Sequence, residues 1–130
     1  MNPTKPELLL IDDDIGMRSM LFRALTRAGY VVHEAGDGKE GLKLLAARPV
    51  GLVITDIIMP EVEGVELIFR IRKTHPKVPI IAMSGGGRLS PLGYLEVAKS
   101  CGANRTMTKP FEIEQLVRAI EELLPKSDGT

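Results

Sequence analysis

The sequence predicts an α/β fold: a single doubly wound, mostly parallel sheet of five strands with helices on both faces. Three observations carry that prediction. Short apolar, β-rich runs alternate five times with segments of helical periodicity, the pattern of a parallel sheet joined by right-handed crossovers. Three of the runs are almost wholly apolar, as strands covered on both faces must be. The length, 130 residues, suits one domain with a sizeable core.

The first run is LLLI at 8–11. Met17, Leu21, Leu25 and Ala28 then recur at three- and four-residue spacings, and Gly29 is a plausible stop for that helix. YVVHEA at 30–35 is the second strand. Leu42 and Leu45 mark a shorter helix near 38–47, before Pro49. GLVITD at 51–56 is the third strand, and Leu67, Ile68 and Ile71 mark a helix ending near His75-Pro76. VPIIAMS at 78–84 is the fourth strand, and a weaker helical pattern lies near 92–101, before Gly102. NRTMT at 104–108 is a poor strand, assigned mainly because the alternation requires one. The last helix is the clearest: Ile113, Leu116, Val117, Ile120, Leu123 and Leu124 form one core-facing stripe that Pro125 ends.

Composition narrows the function classes. Apolar residues make up 44% and charged residues 26%, both ordinary for a globular protein. Seventeen basic residues balance seventeen acidic ones. That balance argues against a sequence-independent grip on nucleic acid and against a polybasic membrane contact. The lone Cys101 excludes an internal disulfide and fits a reducing compartment. MNPTKPE lacks the apolar core of a signal peptide, and no run is long enough to span a bilayer. The expectation is a cytoplasmic, soluble single domain over residues 1–130, with its core at about 7–124 and a frayed end at PKSDGT.

In doubly wound sheets the site lies beyond the carboxyl ends of the strands, where strand order reverses. Those ends carry Asp12-Asp13-Asp14, the turn Gly36-Asp37-Gly38, Asp56, Ser84 and Lys109. Acids, a hydroxyl and an ammonium thus converge on one edge. Half-desolvated carboxylates from neighbouring strands need a cation, and a single lysine does not neutralise them all. A divalent ion does. All-oxygen ligands with positions left for water and phosphate suit Mg²⁺, whereas Ca²⁺ would want a ladder of loop oxygens that is absent. One carboxylate can then act as a nucleophile toward phosphorus, with the lysine and hydroxyl placed for the phosphoryl oxygens. Charge alone does not choose the acceptor. Asp56 stands alone on its strand end, while Asp12 and Asp13 are paired and better suited to the metal.

Together, IDDD at 11–14, ITDIIMP at 54–60, MSG at 83–85 and TKPF at 108–111 resemble the receiver domain of two-component response regulators, the chemotaxis type included. The resemblance runs from about Leu8 to Leu124. It implies the flavodoxin-like strand order 2-1-3-4-5. It also implies roles: Asp56 as phosphoacceptor, Asp13 as direct Mg²⁺ ligand, Asp12 reaching the ion through water, and the Ile58 carbonyl as a further ligand. Ser84 would contact the phosphoryl group and move on activation. Lys109, held by Pro110 through a peptide that is cis in the family, would pair with the phosphoryl oxygens. The implied donor is a phosphohistidine on a sensor histidine kinase or a histidine phosphotransfer protein. The domain would catalyse its own phosphorylation and a slow autodephosphorylation. Its usual partner face is the surface of the fourth predicted helix, the fifth strand and the last helix.

Two departures from the family pattern stand out. Thr106 occupies the position, three before the lysine, where the family often has Tyr or Phe, so the coupled hydroxyl–aromatic switch cannot run in its usual form. GGGRLSPLG at 85–93 is Gly-rich and a few residues long for its place. Residues 85–92 are expected to be mobile or to hold the fourth helix in an unusual position. The alternative function is a phosphate-independent pseudo-receiver, an interaction module of the same fold. An aspartyl-phosphate phosphatase fits poorly, because Ile57 and Ile58 follow Asp56 where such enzymes have D-x-D. Asp14 is expected to cap the first helix rather than bind metal, and His33 and His75 have no ligand spacing.

Overall fold

The structure, a computed structural model, describes residues 6–57, 64–84, 99 and 102–124. In chain order they form β1 (Glu7–Ile11), α1 (Ile15–Arg27), β2 (Val31–Ala35), α2 (Gly38–Ala47), β3 (Val50–Asp56), α3 (Gly64–Thr74), β4 (Ile80–Ser84), β5 (Arg105–Thr108) and α4 (Ile113–Leu123). The strands make one sheet in the order β2-β1-β3-β4-β5, and every pairing is parallel. The expected α/β class and strand order are thus both present. Four helices lie among the described residues. The fourth predicted helix near 92–101 (residue 99 apart), the 85–92 loop, Cys101 and the PKSDGT end lie outside them.

The near-continuous apolar runs follow from burial on both faces. Side chains alternate along a strand, so Leu9, Ile11, Val53, Ile80 and Ala82 pack with Leu45, Leu67, Ile68 and Ile71 from α2 and α3. Leu8, Leu10, Leu52, Ile54, Ile81 and Met83 pack on the other side with Leu21 and Leu25 of α1 and Leu116 and Ile120 of α4. Burying each of the leucine, isoleucine, valine and methionine side chains stabilises the fold by roughly 1.5–3 kcal/mol. β5 reads poorly as a strand because it lies at the sheet edge and none of its residues is fully buried.

The helix ends carry local sequence signals. Asp14 caps α1 by accepting a hydrogen bond from the Met17 N–H at 3.1 Å, as expected. Asp37, within the turn after β2, does the same for α2 through the Glu40 N–H at 2.8 Å. Gly29 ends α1 at φ 102°, a left-handed conformation that glycine adopts without a steric penalty.

Arg72, in the last turn of α3, ties the far edge of the sheet together. Its guanidinium donates to the Gly102 carbonyl at 3.0 Å, the His75 carbonyl at 3.0 Å and Asn104 Oδ1 at 2.7 Å. Asn104 Oδ1 also accepts from the Ile80 N–H at 2.9 Å, so one node sets where β4 and β5 begin. Burial lowers the Arg72 pKa from its ordinary value. Gly102 sits at φ 126°, and a Cβ there would stand 2.7 Å from Arg72 Cγ. Gly102→Ala is therefore expected to cost about 2 kcal/mol from backbone strain and displacement of the guanidinium. Urea unfolding checks this, and a loss below about 0.5 kcal/mol, the range of ordinary surface changes, would contradict the account.

Candidate functional site

The parallel register brings the carboxyl ends of β1, β3, β4 and β5 to one edge. Asp12 follows β1 directly, and all its polar groups are engaged. Its N–H donates to the Ala35 carbonyl at 3.1 Å, and its carbonyl accepts from Arg18 Nη1 at 2.9 Å. Its Oδ1 accepts from the Asp14 N–H at 2.9 Å and its Oδ2 from Lys109 Nζ at 3.3 Å. The residue is fully buried. Asp56 ends β3, also buried, and its Oδ2 accepts from Lys109 Nζ at 2.9 Å. Asp13, beside Asp12, is exposed at the mouth.

One ammonium therefore bridges two carboxylates that arrive from different strands. Desolvation alone would lower the Lys109 pKa, but the hydrogen bond and charge of Asp56, and then those of Asp12, outweigh it and raise the value. For Asp12, burial dominates and raises the carboxyl above its ordinary range, against the lowering from the Asp14 N–H and the Lys109 charge. The pocket thus holds more negative charge than its lysine compensates.

Carboxylate oxygens of Asp12, Asp13 and Asp56 lie within 4.8 Å of one another, close enough to share a metal ion. This donor set is all oxygen, with two buried acids and one at the mouth. It fits a small hard divalent cation that keeps some of its water, as Mg²⁺ does. Ile58, the expected carbonyl ligand, lies outside the described residues, as does the turn at Met59-Pro60. Asp14 is not part of the acid cluster.

Ser84 is the last residue of β4 and fully buried. Its carbonyl accepts the Lys109 N–H at 2.8 Å, and the Ile57 N–H donates to the Met83 carbonyl at 2.9 Å. These bonds extend the β3–β4–β5 alignment one step past the strands, so Ser84, Lys109 and Asp56 are held on one rigid edge. The Lys109–Pro110 peptide is cis, as the resemblance implies.

Arg18 carries no sequence signal of a place at the site. An arginine in the second turn of an amphipathic helix reads as part of a solvated face. Instead its guanidinium turns back over the strand ends, to the Asp12 carbonyl and, at 3.3 Å, to Glu34 Oε1.

Because the folded-state pKa of Asp12 is raised, its ionised form destabilises the metal-free protein, and protonation relieves that cost as pH falls through the folded value. Asp12→Asn keeps an oxygen for the Asp14 N–H and removes the charge. In chelator at pH 7 it is expected to stabilise the fold and raise Tm. Calorimetry should show that advantage shrinking toward acid pH. A variant less stable than the parent at pH 7 would contradict it.

Similarity to known proteins agrees with this geometry. Residues 8–121 match the family model described as "Response regulator receiver domain". The probable chemotaxis protein CheY of Rhizobium etli is 35% identical over 122 residues, which cover 90% of this chain and 91% of that protein. The sensor kinase CckA of Brucella abortus is also 35% identical, over 93% of this chain but only 13% of the kinase. For the transcriptional regulatory protein GlrR of Escherichia coli the figures are 35%, 98% and 28%. The chain thus spans a small fraction of these longer relatives and nearly all of the chemotaxis protein. Among solved structures, the receiver domain of NtrX from Brucella abortus superposes with a TM-score of 0.85 at 28% identity, covering 93% of this chain and all of that one. With the sheet order, the acid cluster and the lysine bridge already in place, the chain belongs to the response regulator receiver domain family of two-component systems.

Proposed function

We propose that this domain takes a phosphoryl group onto Asp56 from a phosphohistidine on a sensor histidine kinase or a histidine phosphotransfer protein. The observation that carries the reading is the Lys109 ammonium, 2.9 Å from Asp56 and 3.3 Å from Asp12, beside an acid cluster sized for a divalent ion. An Asp56 carboxylate oxygen attacks phosphorus, forming the P–O bond of an acyl phosphate as the P–N bond to histidine breaks. The imidazole leaves and is reprotonated by solvent. Asp12, Asp13 and Asp56, with the Ile58 carbonyl, would hold Mg²⁺, which neutralises charge on the phosphoryl oxygens. Lys109 remains as the protein's own cation against those oxygens, and the Ser84 hydroxyl is the candidate contact on the neighbouring strand. The same residues would support slow hydrolysis of the acyl phosphate. Residues 1–130 are read as one such domain, acting in the cytoplasm with no direct nucleic-acid or membrane contact.

For output, we propose the edge formed by β5, α4 and the fourth predicted helix. Arg105 pairs with Glu122 across β5 and α4 at 2.7 Å, so the described part of this face is polar. Thr106, half-buried at the position of the usual aromatic, means that any change reaching a partner travels through backbone or helix shifts. The same threonine is what favours a second reading, a pseudo-receiver that binds partners without phosphate. The relatives' names include a chemotaxis protein and a transcriptional regulator, so a chemotaxis-type output is one of several open to the domain.

Acetyl phosphate with Mg²⁺ is expected to label the protein, and Asp56→Asn to abolish the label. Labelling that persists in Asp56→Asn would place the acceptor elsewhere. Asp13→Ala should weaken Mg²⁺ binding by about tenfold or more, read by isothermal titration. A pseudo-receiver would show no dependence on Asp13.

A further inference from the structure

We propose that Arg18 is a positioning residue for the acid pocket: it fixes the peptide between Asp12 and Asp13 and so aims the Asp13 carboxylate. The guanidinium is well placed for this. Nη1 donates to the Asp12 carbonyl at 2.9 Å while Nε donates to Glu34 Oε1 at 3.3 Å. The side chains of Arg18 and Glu34 are 21% and 36% exposed, so the pair is partly shielded from water and competes well with it. Arg18 is itself anchored, because its N–H donates to the Asp14 carbonyl at 2.9 Å within α1.

The remaining bonds of Asp12 show why this contact matters. Its N–H is held by β2 and its carboxylate by the Asp14 N–H and Lys109. Those bonds hold the Asp12 Cα and side chain and, through the Asp14 N–H, the far end of Asp13. The carbonyl of the peptide between Asp12 and Asp13 is held by Arg18. The plane of that peptide sets the direction in which the chain enters Asp13, the exposed member of the acid cluster. The neighbouring turn leaves space for the clamp: a Cβ on Gly36 would stand 3.0 Å from Nη1. The Gly36 N–H donates to Glu40 Oε1 at 3.0 Å, which holds that turn in place.

Charge and positioning predict opposite signs, which makes the role testable. Removing Arg18 deletes a cation near the pocket and frees the Glu34 charge. By electrostatics alone, both changes tighten a divalent ion. Loss of the clamp loosens the Asp13 carboxylate and weakens the ion. Arg18→Lys keeps the charge but replaces the planar fork, whose separate N–H groups reach two acceptors at once, with a single ammonium.

The experiment compares the parent chain with Arg18→Met and Arg18→Lys. Amide hydrogen exchange at Asp14 is followed in chelator, and Mg²⁺ affinity is read by titration. Asp14 exchange should accelerate about tenfold in both variants, and Mg²⁺ binding should weaken about tenfold in both. Tighter Mg²⁺ binding in Arg18→Met, parent-like behaviour of Arg18→Lys, or unchanged Asp14 exchange would each overturn the proposal. The functional meaning of the clamp rests on the phosphoacceptor reading. A parent chain that binds no Mg²⁺ sinks that reading, while the exchange arm, run without metal, still decides whether Arg18 holds the turn.

Discussion

The structure depends on one electrostatic constraint at the carboxyl edge of the sheet. Buried carboxylates from β1 and β3 are held together by an ammonium that arrives from beyond β5. Bringing Asp12 and Asp56 out of water is costly, and a single lysine offsets only part of that cost. The raised Asp12 pKa is the sign of the remainder. A pocket left with excess negative charge suits a cation. Among the described residues, that imbalance sits at this edge and not in the apolar layers.

The rest of the architecture keeps that edge rigid. Two apolar layers clamp the sheet from both faces, so the strand ends cannot slide to separate the charges. Backbone bonds from Ile57 to Met83 and from Lys109 to Ser84 continue the alignment beyond the strands. At the opposite edge, Arg72 and Asn104 set the starts of β4 and β5. Two arginines therefore act at opposite ends of the sheet, Arg72 on its registration and Arg18 on the turn that carries the acids. Neither role is legible from residue type, because both side chains lie on helix faces that would otherwise be solvated.

Function in this family is a matter of what couples to the edge. Receiver domains of two-component systems accept phosphate from histidine kinases and act on downstream effectors, and this chain has the family's fold and acid cluster. Thr106, on β5, is a small half-buried polar residue. The polar pair Arg105–Glu122 lies on the same face. Backbone hydrogen bonds such as Lys109–Ser84 join the carboxyl edge of the sheet to β5 directly.

Several features were decided by the sequence alone. Continuous apolar runs forced strands buried on both faces, the stripe from Ile113 to Leu124 forced an amphipathic helix, and Asp14 announced its own cap. Each depends on local periodicity or on a hydrogen bond three residues away, so tertiary context is not needed to read it. Position at strand ends also marked Asp12, Asp13, Asp56, Ser84 and Lys109 as one constellation, because a parallel sheet sends all such ends to the same side. Tertiary structure alone decided that Lys109 bridges Asp12 and Asp56, that Asp12 is fully buried while Asp13 is exposed, and that Arg18 and Arg72 turn inward to backbone carbonyls. These outcomes join residues up to 97 positions apart, and they depend on distances and desolvation that exist only once the strands have paired.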